Sequence, residues 1–260
     1  MEGHEDAAAG GHPRDLAREL LLSIATLTLW PIVDERARGT ARQRARALIF
    51  TPIVGFIEGA ALAALDRAMV PVAGPGWRSL IVVATAALAM LFLPWRGIAD
   101  TIAALRAGAR PAATGLARIG PVSVAVALAA MAIEVLMLSS ISEPPARAAA
   151  LVMGSMLGRW APVPVAYGLA PGERWGLGLP FEGGIEFREF SVSSVIGLGL
   201  TLALYSGIGL LVAVVVALLI LGLRWLFSRR FGGAPGFALA GASGIVEVAV
   251  VATVAALAGR

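Results

Sequence analysis

Apolar residues in this chain fall in long, nearly uncharged runs, divided by short stretches rich in arginine, proline and glycine. The runs are continuous rather than alternating, and most approach the ~20 residues a helix needs to cross a bilayer. Hydrocarbon offers no water to backbone N–H and C=O groups, so a spanning segment is either a helix or part of a closed barrel. Continuous runs read as helices. The pattern predicts spans over residues 47–65, 79–93, 119–141, 148–169 and 238–257. A further run, 192–227, is too long for one crossing, and Ser206-Gly207-Ile208-Gly209 offers a turn that would divide it. The first run, 20–33, is short and ends at Trp30-Pro31, so it is expected to be re-entrant or interfacial. The expected fold class is all-α: a polytopic transmembrane helical bundle of about six spans plus a re-entrant N-terminal segment. Residues 1–19 read as a polar tail, and 20–260 as a single membrane-embedded helical domain.

Arginine placement gives this topology a direction. The segments 34–46, 94–118, 170–190 and 224–236 hold most of the arginines, whereas 66–78, 142–147 and 206–209 hold few. Cytoplasmic loops collect Lys and Arg, so the first set is expected inside and the second outside, with the N-terminus cytoplasmic. A bacterial inner membrane is the expected location.

Composition agrees with a chain surrounded by lipid. Hydrophobic residues make up 58% and charged residues 15%, against about 45–50% and about 25% in soluble domains. The net charge of +4 is spread over membrane-flanking segments, which argues for the lipid bilayer as partner and against nucleic acid. All the basic residues are arginine, and cysteine is absent. That excludes disulfides, thiolate metal sites, lysine Schiff bases and a P-loop lysine. The two histidines, His4 and His12, lie in the tail, so a Ser/His/Asp arrangement is excluded unless another base substitutes. No aspartate pair at helical spacing offers a local two-metal site.

Four charges interrupt the apolar runs: Glu58, Glu134, Arg159 and Glu247. Charge within a bilayer is costly, so such groups face the bundle interior and pair. Two readings stand side by side. In one, Arg159 pairs with a glutamate and locks the bundle; in the other, these residues line a polar cavity for substrate or ion. The stretch 93–118 carries Arg96, Asp100, Thr101, Arg106, Arg110 and Arg118. Its arginines suit phosphate, held bidentately, or anionic lipid headgroups.

The order of several motifs resembles the adenosylcobinamide-GDP ribazoletransferase (cobalamin synthase) family. Leu27-Thr28-Leu29-Trp30-Pro31 is similar to that family's L-T-R-L-P, and Thr51-Pro52-Ile53-Val54-Gly55 with Gly59 to its F-P-L-V-G…G. Gly97-Ile98-Ala99-Asp100-Thr101 resembles the core of H-L-D-G-L-A-D-T-A-D-G, and Arg118-Ile119-Gly120 the end of K-D-S-R-I-G. Leu157-Gly158-Arg159-Trp160-Ala161 with Ala166-Tyr167 resembles L-G-R-W-A…A-Y. Arg229-Arg230-Phe231-Gly232-Gly233 and Ile245-Val246-Glu247-Val248 frame R-R-x-G-G-x-T-G-D-T…E-L-V-E. The likeness runs in order from about residue 20 to residue 255.

The resemblance implies transfer of α-ribazole, or its phosphate, onto adenosylcobinamide-GDP with release of GMP, assisted by Mg2+. It implies Asp100 as a metal ligand, and Gly97, Thr101, Arg118 and Arg159 as substrate-binding residues. The sequence departs from the family at its acidic positions. Pro94 and Arg96 replace the histidine and first aspartate of H-L-D-G, and Ala103 replaces the third aspartate. Gly115 and Leu116 replace Lys-Asp, Phe237 and Ala238 replace Asp-Thr, and Gly244 replaces the first glutamate of E-L-V-E. Hard cations gather several oxygen ligands, so the expectation is a degenerate metal site with reduced or lost activity. A divergent enzyme using Glu58 or Glu134, a non-catalytic structural or interaction subunit associating with other membrane proteins, and a small-solute transporter are the alternatives.

Overall fold

The computed structural model describes residues 46–106, 120–170 and 185–258. The tail, the first apolar run, the arginine stretch 34–45 and Arg118 lie outside these residues. Everything described is helix or short connection. A 3-10 turn at Leu48–Phe50 leads into α1 (Thr51–Ala68). Then follow α2 (Pro75–Ala89), α3 (Leu93–Arg106), α4 (Pro121–Ser140) and α5 (Pro144–Trp160). The short α6 (Pro162–Ala166), the long α7 (Phe187–Phe231) and α8 (Gly236–Ala258) complete the described chain.

Prolines and glycines punctuate it as their backbone chemistry requires. Pro75, Pro121, Pro144 and Pro162 each stand in the first turn of a helix, where the missing N–H costs no hydrogen bond. The long helix starts at a capping box, with the Glu189 side chain accepting from the Glu186 N–H at 3.1 Å. It ends at Gly232, in the left-handed conformation (φ 66°) that suits glycine after a helix.

Among the described residues four helices are long and apolar enough to cross a membrane: Leu48–Ala68, Pro121–Ser140, Phe187–Phe231 and Gly236–Ala258. The bent pair α2–α3 makes a fifth if counted as one span. The chain is therefore a multi-pass membrane protein. Among the described residues the expected six spans are reached when the bent pair counts as one and α7 as two. Helix α7 is kinked at Ser206, which is non-helical (φ 31°, ψ −106°). A Cβ built on Gly209 would stand 2.5 Å from the Thr201 carbonyl oxygen. Eight residues along a straight helix are separated by about 12 Å, so the chain turns sharply at the predicted Ser206-Gly207 break.

Two sequence expectations need correction. Residues 94–118 were expected to form a cytoplasmic loop, but Leu93–Arg106 is helix, with Leu93, Pro94, Trp95, Gly97, Ile98, Ala99 and Thr101 buried. It follows α2 at a bend of 79°, where Leu91 (φ 49°) and Phe92 (φ 59°) occupy the left-handed region. Its apolar positions recur at helical spacing, and the arginines that marked it as a loop lie on its less buried face. The span expected over 148–169 begins instead at Pro144 and pauses at Ala161 before α6. Arg147, assigned by the sequence to an outer loop, is thereby drawn into α5 and buried.

Helix α8 is the hub. Of its most apolar window 72% is buried, against 11% for α4, and α8 packs on α3, α4, α5, α6 and α7. On the outer helices Val122, Leu128, Leu136, Leu210, Leu218 and Leu221 are exposed, as an apolar face turned to lipid should be.

Candidate functional site

Small residues let the central helices touch backbone to backbone, which is how helices associate where lipid is as apolar as leucine. A Cβ on Gly55 would stand 2.5 Å from the Ser155 carbonyl oxygen, and one on Gly59 would stand 2.6 Å from Val152 Cα. These glycines, spaced four apart on α1, seat α5 against it. Gly154 and Gly158 on α5 face Glu247 and Ser243 of α8 in turn. Between these seams α1, α5 and α8 leave space for one long cation.

Arg159 fills it. Its Nε donates to Glu58 Oε2 at 2.9 Å and its Nη2 to Glu58 Oε1 at 2.9 Å, a bidentate pair. Nη1 donates to Ser243 Oγ and to Glu247 Oε2, both at 3.0 Å. Four of the five guanidinium N–H donors are engaged inside the protein. Arg159 is 1% exposed and Glu247 3%, so this is a charge cluster inside the bundle and not a snorkelling side chain. Glu134 lies close by, accepting a hydrogen bond from Trp95 Nε1 of α3 at 3.1 Å.

The structure thus brings Glu58, Arg159 and Glu247 into one network and sets Glu134 at its edge. Gly97, Thr101 and Asp100 sit elsewhere, along α3. A Cβ on Gly97 would collide with Gly241 N and Ala240 of α8, and one on Gly241 would stand 2.6 Å from Gly97 O. Thr101 donates to Gly97 O at 2.7 Å and is buried beside Gly241. Both residues therefore serve the α3–α8 contact. Asp100 lies 3.5 Å from Arg96, one helical turn away, with neither facing atom in hydrogen-bond geometry. Among the described residues no three histidines or acids come together as a metal site. The residues around Asp100 do not fit Mg2+: one carboxylate, already facing a cation, offers too few oxygens.

A second cluster escaped the sequence reading. Arg147, 1% exposed, donates to Asp66 Oδ2 at 3.2 Å and Oδ1 at 2.6 Å, to Ser79 Oγ at 3.2 Å, and to the Leu138 carbonyl. Arg78 lies 3.8 Å from the same aspartate. Leu138 is in the last turn of α4, where its carbonyl accepts the Ile141 N–H at 3.3 Å, and Arg147 adds a second donor to it. Arg224, too, was missed; it donates to the carbonyls of Pro164, Val165 and Tyr167 and closes the end of α6. The available signal was an acid at the end of one apolar run and a lone arginine just inside a Pro-Pro helix start.

At two of the positions where the resemblance expects acids, Phe237 and Gly244, the residue is buried in α8, as is Ala238 at the threonine position, whereas Ala103 on α3 is exposed. A Cβ on Gly244 would stand 2.9 Å from the Pro94 carbonyl oxygen. Comparison with known proteins accounts for the scaffold on which this happens. No curated protein and no solved structure matches the chain, whereas the family model described as cobalamin-5-phosphate synthase matches residues 19–256. That match covers nearly the whole chain, including both glycine seams and the Arg159 network, and so the chain belongs to the cobalamin-5-phosphate synthase family.

Proposed function

We propose that this chain is a cobalamin-synthase-type membrane protein whose metal site is degenerate and whose transferase activity is reduced or lost. The observation that carries the reading is the α3–α8 seam. The two segments that resemble the family's acidic motifs meet there backbone to backbone, through Gly97, Gly241 and Gly244. A glutamate at position 244 would have its Cβ pressed on the Pro94 carbonyl. Asp100, the retained one of the acids that the resemblance assigns to the metal, faces Arg96. Arg159, which the resemblance makes a phosphate ligand, is committed to Glu58, Glu247 and Ser243. On this reading the chain lies in a bacterial inner membrane with a cytoplasmic N-terminus, its affinity for cobamide precursors is reduced, and Mg2+ is not held at Asp100.

The test is direct. Membranes containing the chain are supplied with adenosylcobinamide-GDP, α-ribazole and Mg2+, beside membranes containing an active synthase. The expected outcome is no cobalamin above the empty-membrane background; product formation at a rate comparable to the control would overturn the proposal. A second reading, transport of a small solute, rests on the three interior glutamates. It expects flux in proteoliposomes that Glu58→Gln or Glu134→Gln abolishes, and unchanged flux removes it.

A further inference from the structure

Among the described residues no guanidinium forms an ion pair with Glu134, a carboxylate in the middle of α4. It is 4% exposed, and its one hydrogen bond comes from the neutral Trp95 N–H. Arg159 spends its contacts on Glu58, Glu247 and Ser243. Glu134 and Glu247 both line a small cavity of about 10 Å³ whose other walls include Leu62, Val83, Ser155 and Val251. That is room for about one water molecule.

The charges around Glu134 can be taken helix by helix. From α8 comes Glu247, from α5 Arg159 and from α1 Glu58, while α3 presents Trp95 and α2 only Val82, Val83 and Ala86. Two carboxylates therefore share one guanidinium and a third, Glu134, stands beside them without a cation, in a region bounded by lipid-facing helices. An ionised carboxylate with no cation beside it is far more costly in such surroundings than a neutral one. A metal cation is a poor alternative, because hard cations gather about six oxygens and the cavity offers two carboxylates and a hydroxyl.

We propose that Glu134 and the cavity beside it form a proton-binding site inside the membrane. The Glu134 carboxyl carries the proton and donates it as a hydrogen bond towards Glu247, directly or through one water. Glu58 and Glu247 remain the partners of Arg159. The site stands apart from the proposed loss of transferase activity, since it rests on the charge arrangement alone.

Infrared spectra of the full chain in lipid nanodiscs at neutral pH, in H2O and D2O, test the proposal. The expected result is a protonated-carboxyl C=O band that shifts down in D2O and disappears in Glu134→Gln. The same band persists in Glu58→Gln, Glu247→Gln and Asp100→Asn. The amide of Glu134→Gln copies the shape and the donor of a protonated acid, so that variant should melt at the wild-type temperature. A wild type without the band, or a band that survives Glu134→Gln, overturns the proposal. A band that appears only when sodium is withdrawn from the buffer overturns it in favour of a metal cation. Should Glu134→Gln not fold, Glu134→Asp, which keeps an acid on a shorter stem, should shift the frequency of the band, and a band that it leaves unmoved refutes the site.

Discussion

The Arg147 and Arg159 clusters share a ground plan and differ in charge balance. Both arginines belong to α5, both take a carboxylate of α1 bidentately, and both are almost completely buried. Twelve residues of helix, about 18 Å, separate them. Around Arg147, two arginines share Asp66, and the surplus donors go to Ser79 and to the end of α4. Around Arg159, two glutamates share one arginine and a third stands unpaired nearby. A surplus of donors is absorbed by carbonyls and hydroxyls, which a helical bundle has in plenty. A surplus of carboxylate is absorbed by no neutral acceptor, so it must find a donor or a proton. The first cluster reads as a clasp between α1, α2, α4 and α5, the second as a rewired interior.

The largest expected effect comes from unbalancing the second cluster. Arg159→Leu leaves Glu58 and Glu247 buried without a partner, at about 3–5 kcal/mol or with failure to fold. A melt followed by tryptophan fluorescence in mild detergent measures it. Adding Glu58→Leu and Glu247→Leu to that variant should restore most of the loss, because a buried charge cluster exchanged whole for apolar groups is often neutral. If the triple variant is as unstable as the single one, Arg159 contributes something other than charge pairing. Arg147→Leu should cost somewhat less, about 3 kcal/mol, because Arg78 remains 3.8 Å from Asp66. Combining it with Asp66→Asn should recover part of the loss. A cost larger than that of Arg159→Leu would reverse the comparison.

Next in size is the seam that holds both clusters in register. Gly55→Ala places a methyl 2.5 Å from the Ser155 carbonyl oxygen, which forces α1 and α5 apart at about 1–3 kcal/mol. It should weaken both clusters together. The smallest effect is of opposite sign. Leu91 is half-exposed and left-handed at the α2–α3 bend, and Leu91→Gly relieves up to about 1–2 kcal/mol of backbone strain. A melting temperature that falls on this change would mean that the leucine side chain outweighs the strain.

Much of the bundle was legible because hydrocarbon imposes one rule on every spanning segment. The apolar runs and the Ser206 break follow from local chemistry that a linear reading sees, whereas the starts at Pro75, Pro121 and Pro144 differ from those the runs suggested. The α3 helix was hidden because its arginines look like loop residues until a partner helix is known. Arg96 and Asp100, a turn apart, are the local sign that it is helical. For Glu58, Arg159 and Glu247 the sequence supplied the reason to pair but not the partners, since they lie on three helices roughly ninety residues apart. Asp66 and Arg147 were read as loop-edge charges, and only the depth of α5 in the bundle reveals that they are buried together. The replaced acids were visible as substitutions; that a phenylalanine and a glycine contact fill two of their places, 237 and 244, required the α3–α8 packing.

The proposed function has the family's scaffold persisting around a metal site that is degenerate. Manganese(II), a paramagnetic stand-in for Mg2+, tests it without reference to turnover. Purified full-length chain in nanodiscs is titrated with the ion, and the free-ion signal is read by electron paramagnetic resonance. The account predicts that one equivalent of protein leaves the signal of micromolar manganese undiminished, in wild type and in Asp100→Asn alike. A stoichiometric loss of signal that Asp100→Asn restores would contradict it.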